Sequence, residues 1–171
     1  YSTIIKKEVP LRPILSMINF PQHKIAKFLN QLLEPVLDYY SNYVIMDSFT
    51  FVEKIRRIKT KNTFMASFDV KSLFTNVPLK EVIDICSQKL YELKKPHLSK
   101  ENFVKLLKIA TSDVRYSFNN IMYSQHDGVA MGSPLSPTLA NIYMGFLESK
   151  EKSPAFTLIY SIIDMLMTVL L

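Results

Sequence analysis

The chain has 171 residues, enough for one domain or one incomplete piece of a larger one. Nearly half of the residues are apolar and aromatics are plentiful, which excludes wholesale disorder. The formal charge of +6 suits a polyanionic partner without specifying one, and one cysteine, Cys86, excludes an intrachain disulfide framework and fits a reducing compartment, nuclear or cytoplasmic.

Three scattered histidines, His23, His97 and His126, cannot build a zinc site with that single cysteine, and none pairs with a nucleophile. Residues 1–10 carry no apolar leader core, and a first residue of Tyr1 leads us to expect a chain that begins mid-protein. The tail from Phe156 to Leu171 is strongly apolar. It is shorter than the ~20 residues a spanning helix needs and holds Asp164 near its middle, so it reads as buried strand.

In chain order, Pro21 precedes Ile25, Phe28, Leu29, Leu32, Leu33, Val36 and Leu37 at helical spacing, and Pro35 is expected to kink or interrupt that helix. A second helix starts between Asp47 and Thr50. Thr50 and Glu53 have capping-box spacing, and Val52, Ile55 and Ile58 form an apolar stripe. Thr63 to Val70 reads as a strand. Leu79 to Lys95 is amphipathic through Val82, Ile83, Cys86 and Leu90, with Pro78 where a first helical turn tolerates it. A further helix runs from Ser99 to about Ala110. Tyr116–Phe118 and Ile121–Tyr123 flank Asn119-Asn120 as a hairpin. Ser133-Pro134 opens a last helix through Leu139, Ile142, Tyr143 and Phe146, and Leu158 to Ile163 reads as strand. Helices alternating with strands and a hairpin describe an α+β domain without an internal boundary.

Two segments carry chemistry. In Ser67-Phe68-Asp69-Val70-Lys71-Ser72-Leu73-Phe74-Thr75-Asn76-Val77-Pro78, Asp69 ends a strand just before a turn. That position suits a carboxylate holding Mg²⁺, and it equally suits an Asp that merely caps the turn. In Asp127-Gly128-Val129-Ala130-Met131-Gly132-Ser133-Pro134-Leu135-Ser136-Pro137, two of the three glycines of the chain fall just before a helix N-terminus. Such a loop permits close backbone approach and favours anions, or it is an ordinary helix entry. Lys54, Arg56, Arg57, Lys59 and Lys61 form a basic cluster, either a nucleic-acid contact or a solvated helix face.

Taken together, SFDVKSLFTNVPL and DGVAMGSPLSPTLANIYM resemble motifs A and B of Penelope-like reverse transcriptases, with FNNIMYSQHDG resembling the hairpin between them. Pro10-Leu11-Arg12-Pro13-Ile14, Pro21 and the Ala26–Leu29 stretch are similar to the fingers segment of that family. The resemblance covers residues 10 to 148 and implies a right-hand polymerase fold: partial fingers over about 1–62, palm over 63–171, and no thumb within the chain. It implies an RNA template, a DNA primer, deoxynucleoside triphosphates and two Mg²⁺ ions. Asp69 would be a catalytic metal ligand, with the Val70 carbonyl beside it. Ser72 and Leu73 would lie near the triphosphate, and Phe74 would be the steric gate against a ribose 2′-hydroxyl. Met131, Gly132 and Ser133 would face the template and nascent base pair, and Arg12 would contact phosphate.

The departure comes where the family carries Tyr-x-Asp-Asp. Ile162-Ile163-Asp164-Met165 keeps Asp164 as the second catalytic and metal-holding carboxylate and puts Met165 in place of the third. A neutral thioether is a poor Mg²⁺ ligand. The chain is therefore expected to be an inactive polymerase fragment. The alternatives are a decayed copy without enzymatic function, with Asp164 there by chance, and a module that binds nucleic acid without chemistry.

Overall fold

The computed structural model describes residues 14, 15, 17, 20–43, 45, 47–57, 70–112 and 114–150. Helix α1 (Pro21–Tyr40) begins after the extended Phe20, so Pro21 takes a first-turn position where a missing N–H is harmless. Ala26, Leu29, Leu33, Val36 and Tyr40 are buried at three- and four-residue steps, while Phe28, read as part of this stripe, is 48 % exposed. The expected interruption at Pro35 does not occur, because residues on both sides belong to one helix. An interior proline costs about 3 kcal/mol. Burying one aliphatic side chain contributes about 1.5–3 kcal/mol, and Leu33 and Val36 flank the proline in the core. Tertiary packing wins over propensity.

A single 3-10 turn (Ser41–Tyr43) leads to α2 (Ser48–Arg56). The predicted start is observed, but the cap is Asp47 rather than Thr50. Asp47 Oδ1 accepts the Thr50 N–H at 2.8 Å and its Oδ2 accepts the Thr50 hydroxyl at 3.0 Å. These bonds hold the Asp47 carboxyl below its ordinary range. A carboxylate with two acceptor oxygens satisfies the helix start better than a Thr50 hydroxyl would. No residue of α2 is fully buried: of the apolar stripe Val52 is exposed and Ile55 partly buried, and Ile58 lies outside the described residues.

After the four-residue α3 (Leu73–Asn76), which the sequence reading did not anticipate, α4 (Leu79–Leu93) buries Val82, Ile83, Cys86 and Leu90 as expected. Burial pushes the Cys86 thiol well above its ordinary range, which suits packing and not reactivity. Helix α5 (Lys100–Thr111) is capped by Ser99, whose Oγ accepts the Asn102 N–H at 3.3 Å, and it buries Phe103, Leu107 and Ala110. Strands β1 (Val114–Phe118) and β2 (Ile121–Gln125) pair antiparallel, with Phe118 opposite Ile121 and Tyr116 opposite Tyr123. Asn119 and Asn120 have φ of 50° and 60°, the backbone a two-residue type I′ turn demands. The Tyr116 and Tyr123 rings stack at 5.5 Å.

Helix α6 (Ser136–Lys150) is buried on several sides, at Ser136, Thr138, Leu139, Ala140, Ile142, Met144, Gly145 and Glu148. A helix apolar on most faces must be central, and α6 packs against α1, α3, α4 and the 3-10 turn. The core is thus the junction of α1, α4, α5 and α6, with the hairpin outside it. The strand read over Thr63–Val70 lies outside the described residues except for Val70. The strand read over Leu158 to Ile163 lies wholly outside. Among the described residues no helix is long and apolar enough to cross a membrane.

Gly145 lets α6 touch α1: a Cβ there would sit 2.7 Å from Tyr40 Cβ. Gly145→Val should destabilise the chain by about 1–3 kcal/mol through overpacking, read as a lower urea midpoint. An unchanged midpoint would show that α1 and α6 part slightly at no cost.

Candidate functional site

The turn after Val70 is built by its own polar side chains. Ser72 adopts the left-handed conformation (φ 55°, ψ 49°), unusual for a residue with a Cβ. Thr75 Oγ1 donates to the Ser72 carbonyl at 3.0 Å, and Asn76 Nδ2 donates to the carbonyls of Lys71 (3.0 Å) and Ser72 (3.1 Å). Leu73 points into the core at 8 % exposure, whereas Phe74 is half-buried at its margin.

The second loop docks onto this turn and onto the start of the described chain. The Val129 N–H donates to the Phe74 carbonyl at 2.7 Å, and the Leu15 N–H donates to the Met131 carbonyl at 2.8 Å. Both contacts are made at glycines of positive φ, Gly128 (76°) and Gly132 (107°), where the facing backbone leaves no room for a side chain. Ser136 Oγ donates to the Ala130 carbonyl at 2.6 Å and ties the loop to the first turn of α6. Thr138 Oγ1 donates to Asn30 Oδ1 and joins α6 to α1. The segment of Leu15, the Ser72–Phe74 turn and the loop of Gly128 and Gly132 therefore meet along one backbone-to-backbone seam.

Of the residues expected at the site, Val70, Ser72, Leu73, Phe74, Met131, Gly132 and Ser133 are brought into this region. Arg12, Asp69 and Asp164 lie outside the described residues. Ser133 is turned inward at 7 % exposure, its Oγ accepting the Leu135 N–H at 3.4 Å, so it shapes the helix entry instead of facing outward. Met131 is partly exposed and Gly132 exposed. Among the described residues no three His, Cys, Asp or Glu side chains converge as a metal centre would require. In the basic cluster Arg56 and Arg57 are exposed, while Lys59 and Lys61 lie outside the described residues.

Residues missed by sequence reasoning are Leu15, Thr75, Asn76 and Asp127, which hold the seam together; only Asn76 and Asp127, as turn formers, carried a local signal. A cleft of about 520 Å³ opens beside the seam, between Leu15, Met17, Phe20 and Gln22 on one side and Tyr116 and Met122 of the hairpin on the other. Gln22 Oε1 is buried there without a hydrogen-bond partner among the described residues.

No curated protein and no solved structure matches the chain. The family model for reverse transcriptase (RNA-dependent DNA polymerase) matches residues 4–161, which include the loop of Gly128 and Gly132, the Phe74 turn and every described element. With most of its length in that match, the chain belongs to the reverse transcriptase family.

Proposed function

We propose that the chain is the palm and part of the fingers of a Penelope-like reverse transcriptase whose catalytic centre is incomplete. The observation that carries this reading is the seam itself. Residues 70–78 and 127–133, remote in sequence, are locked together by the Val129–Phe74 hydrogen bond and to the fingers segment by the Leu15–Met131 bond. That junction brings three separately read motifs to one surface, as template-directed synthesis requires.

Asp69, the Val70 carbonyl and Asp164 would hold Mg²⁺; all three offer hard oxygen donors, which fit that ion, whereas Met165 offers a neutral sulfur that does not. When bound, the ion neutralises phosphate charge and makes the primer 3′-hydroxyl a better nucleophile. The remaining roles fall to the chain. The left-handed residue Ser72 opens a right-handed turn, a backbone arrangement whose successive N–H groups form a concave anion site for a triphosphate. With its side chain in the core, Leu73 would serve through its N–H alone. Phe74 would wall off the sugar, Met131 and Gly132 would lie against the nascent base pair, Ser133 would hold their loop, and Arg12 would pair with phosphate. Template RNA, primer DNA and deoxynucleoside triphosphates are the partners this assigns.

The full chain should bind a primer–template duplex and show no primer extension with Mg²⁺, because a carboxylate is lacking at Met165. Asp69→Asn should weaken Mn²⁺ binding about tenfold in a paramagnetic resonance titration, since one ligand charge is lost. Robust extension abolished by Asp69→Ala would show the centre to be complete; Mn²⁺ affinity unmoved by Asp69→Asn would remove Asp69 from it.

A further inference from the structure

The reading above uses the loop of Asp127, Gly128 and Val129 only to join two segments, yet it lies directly behind the turn that carries Phe74. A Cβ on Gly128 would stand 2.6 Å from the Phe74 carbonyl oxygen, 2.6 Å from Thr75 Cα and 2.7 Å from the Thr75 carbonyl carbon. All three atoms are backbone, so no rotamer change relieves the contact. The neighbouring Val129 N–H fixes the same carbonyl at 2.7 Å. From within, the turn is braced by Thr75 and Asn76 on the Ser72 carbonyl. The Phe74 peptide is therefore held between its own turn and a second backbone, and the seat is set by the absence of a side chain at residue 128.

We propose that Gly128 is a positioning residue for sugar selection: the seat it leaves for the Phe74–Thr75 backbone sets where the Phe74 ring stands, and thereby how strictly a 2′-hydroxyl is refused. This rests on the reading of Phe74 as the wall beneath the nucleotide sugar. Steric refusal is acutely sensitive to distance, since repulsion between overlapping atoms changes far more steeply than the attraction, of which a radial gap of about 0.5–1 Å already forfeits a quarter to a half. A Cβ at residue 128 must displace the Phe74–Thr75 backbone by an amount of that order, about half an ångström or more, to reach ordinary contact. The loop is reachable by a gentler change as well. Asp127 is exposed, and its Oδ1 accepts the Gly128 N–H at 2.8 Å. Removing that acceptor loosens the peptide of Gly128 without adding any atom.

The test compares the full chain with Gly128→Ala, Asp127→Ala and Phe74→Val, each bound to a dideoxy-terminated primer on a template presenting cytosine. Equilibrium binding of dGTP and of GTP to each complex gives a ribo-to-deoxy ratio that general destabilisation does not move. Gly128→Ala should shift that ratio toward GTP by about threefold or more, with Asp127→Ala shifting it less in the same direction. A ratio moved by Phe74→Val and unmoved by both loop variants overturns the positioning role and leaves the sugar wall standing. A ratio unmoved by Phe74→Val removes the wall, and the inference with it, as does a native chain that binds neither nucleotide. Should Gly128→Ala fail to fold by circular dichroism, Asp127→Ala decides, and a shift toward dGTP in either loop variant also overturns the proposal.

Discussion

Gly132→Ala is expected to destabilise the chain by about 2–5 kcal/mol and to abolish tight primer–template binding at the same time. At φ 107° an L side chain is strained wherever it stands, and here the space is also taken. The new Cβ would fall 1.9 Å from the Leu15 carbonyl oxygen and 2.9 Å from its carbon, deep inside contact distance. Two escapes exist. The segment of Leu15 can withdraw, which breaks the 2.8 Å bond from its N–H to the Met131 carbonyl and opens the adjoining cleft. Alternatively, the loop can turn over, which carries the Met131 carbonyl away from the Leu15 N–H. Either way the Leu15 segment and the loop of Gly132 part company. The effect should exceed that of Gly145→Val, where the backbone is not left-handed and the closest approach, 2.7 Å to Tyr40 Cβ, is less severe. Urea denaturation and duplex binding by fluorescence anisotropy measure the two losses; native binding at native stability would show that the seam is not needed.

The sequence was most informative where a few adjacent residues decide the backbone. Asn119-Asn120 between alternating strands predicted a hairpin because both residues tolerate positive φ, and the pairing follows from that turn. The helices around Val82, Cys86 and Leu90, and around Phe103 and Leu107, were legible from periodicity for the same local reason. At Pro35 the interruption, one of the two outcomes expected, fails because the proline's penalty is local, whereas the burial of Leu33 and Val36 that outweighs it depends on helices far along the chain. Val52 and Ile55 show the converse: a stripe on paper becomes core only if another element covers it, and none of α2 is fully buried. At the site, the resemblance brought Phe74 and Gly132 into one region, but no pattern in either segment announces that the Val129 N–H meets the Phe74 carbonyl or that Leu15 lies over Gly132. Backbone-to-backbone contacts leave no side-chain signature except the glycine that permits them. The inward turn of Ser133 is equally invisible, since a serine before a helix reads the same whether it faces solvent or caps from inside.

Phe74→Val should narrow the preference for deoxynucleotides over ribonucleotides by about tenfold to a hundredfold, an effect larger than that expected for the Asp127–Val129 loop behind it. A ring beneath the sugar leaves no space for a 2′-hydroxyl, so discrimination comes from overlap and not from a missing hydrogen bond. Forcing extra atoms into a filled space costs about 1–3 kcal/mol, and removing the ring removes that cost for the ribonucleotide alone. Deoxynucleotide binding should fall only modestly, through lost contact with the sugar face. The competing account is that Phe74, which packs at the margin of the core beside Leu73, merely supports the fold. That account predicts a different pattern: truncation lowers stability by a few kcal/mol and weakens both nucleotides together. Phe74→Tyr separates the two further, because it keeps the ring and hence the refusal while disturbing an apolar margin with a hydroxyl. Measured as the ratio of equilibrium affinities for GTP and dGTP on one primer–template, a preference relaxed in Phe74→Val and retained in Phe74→Tyr places the ring against the sugar. A ratio that stays constant while both affinities drop places it in the core.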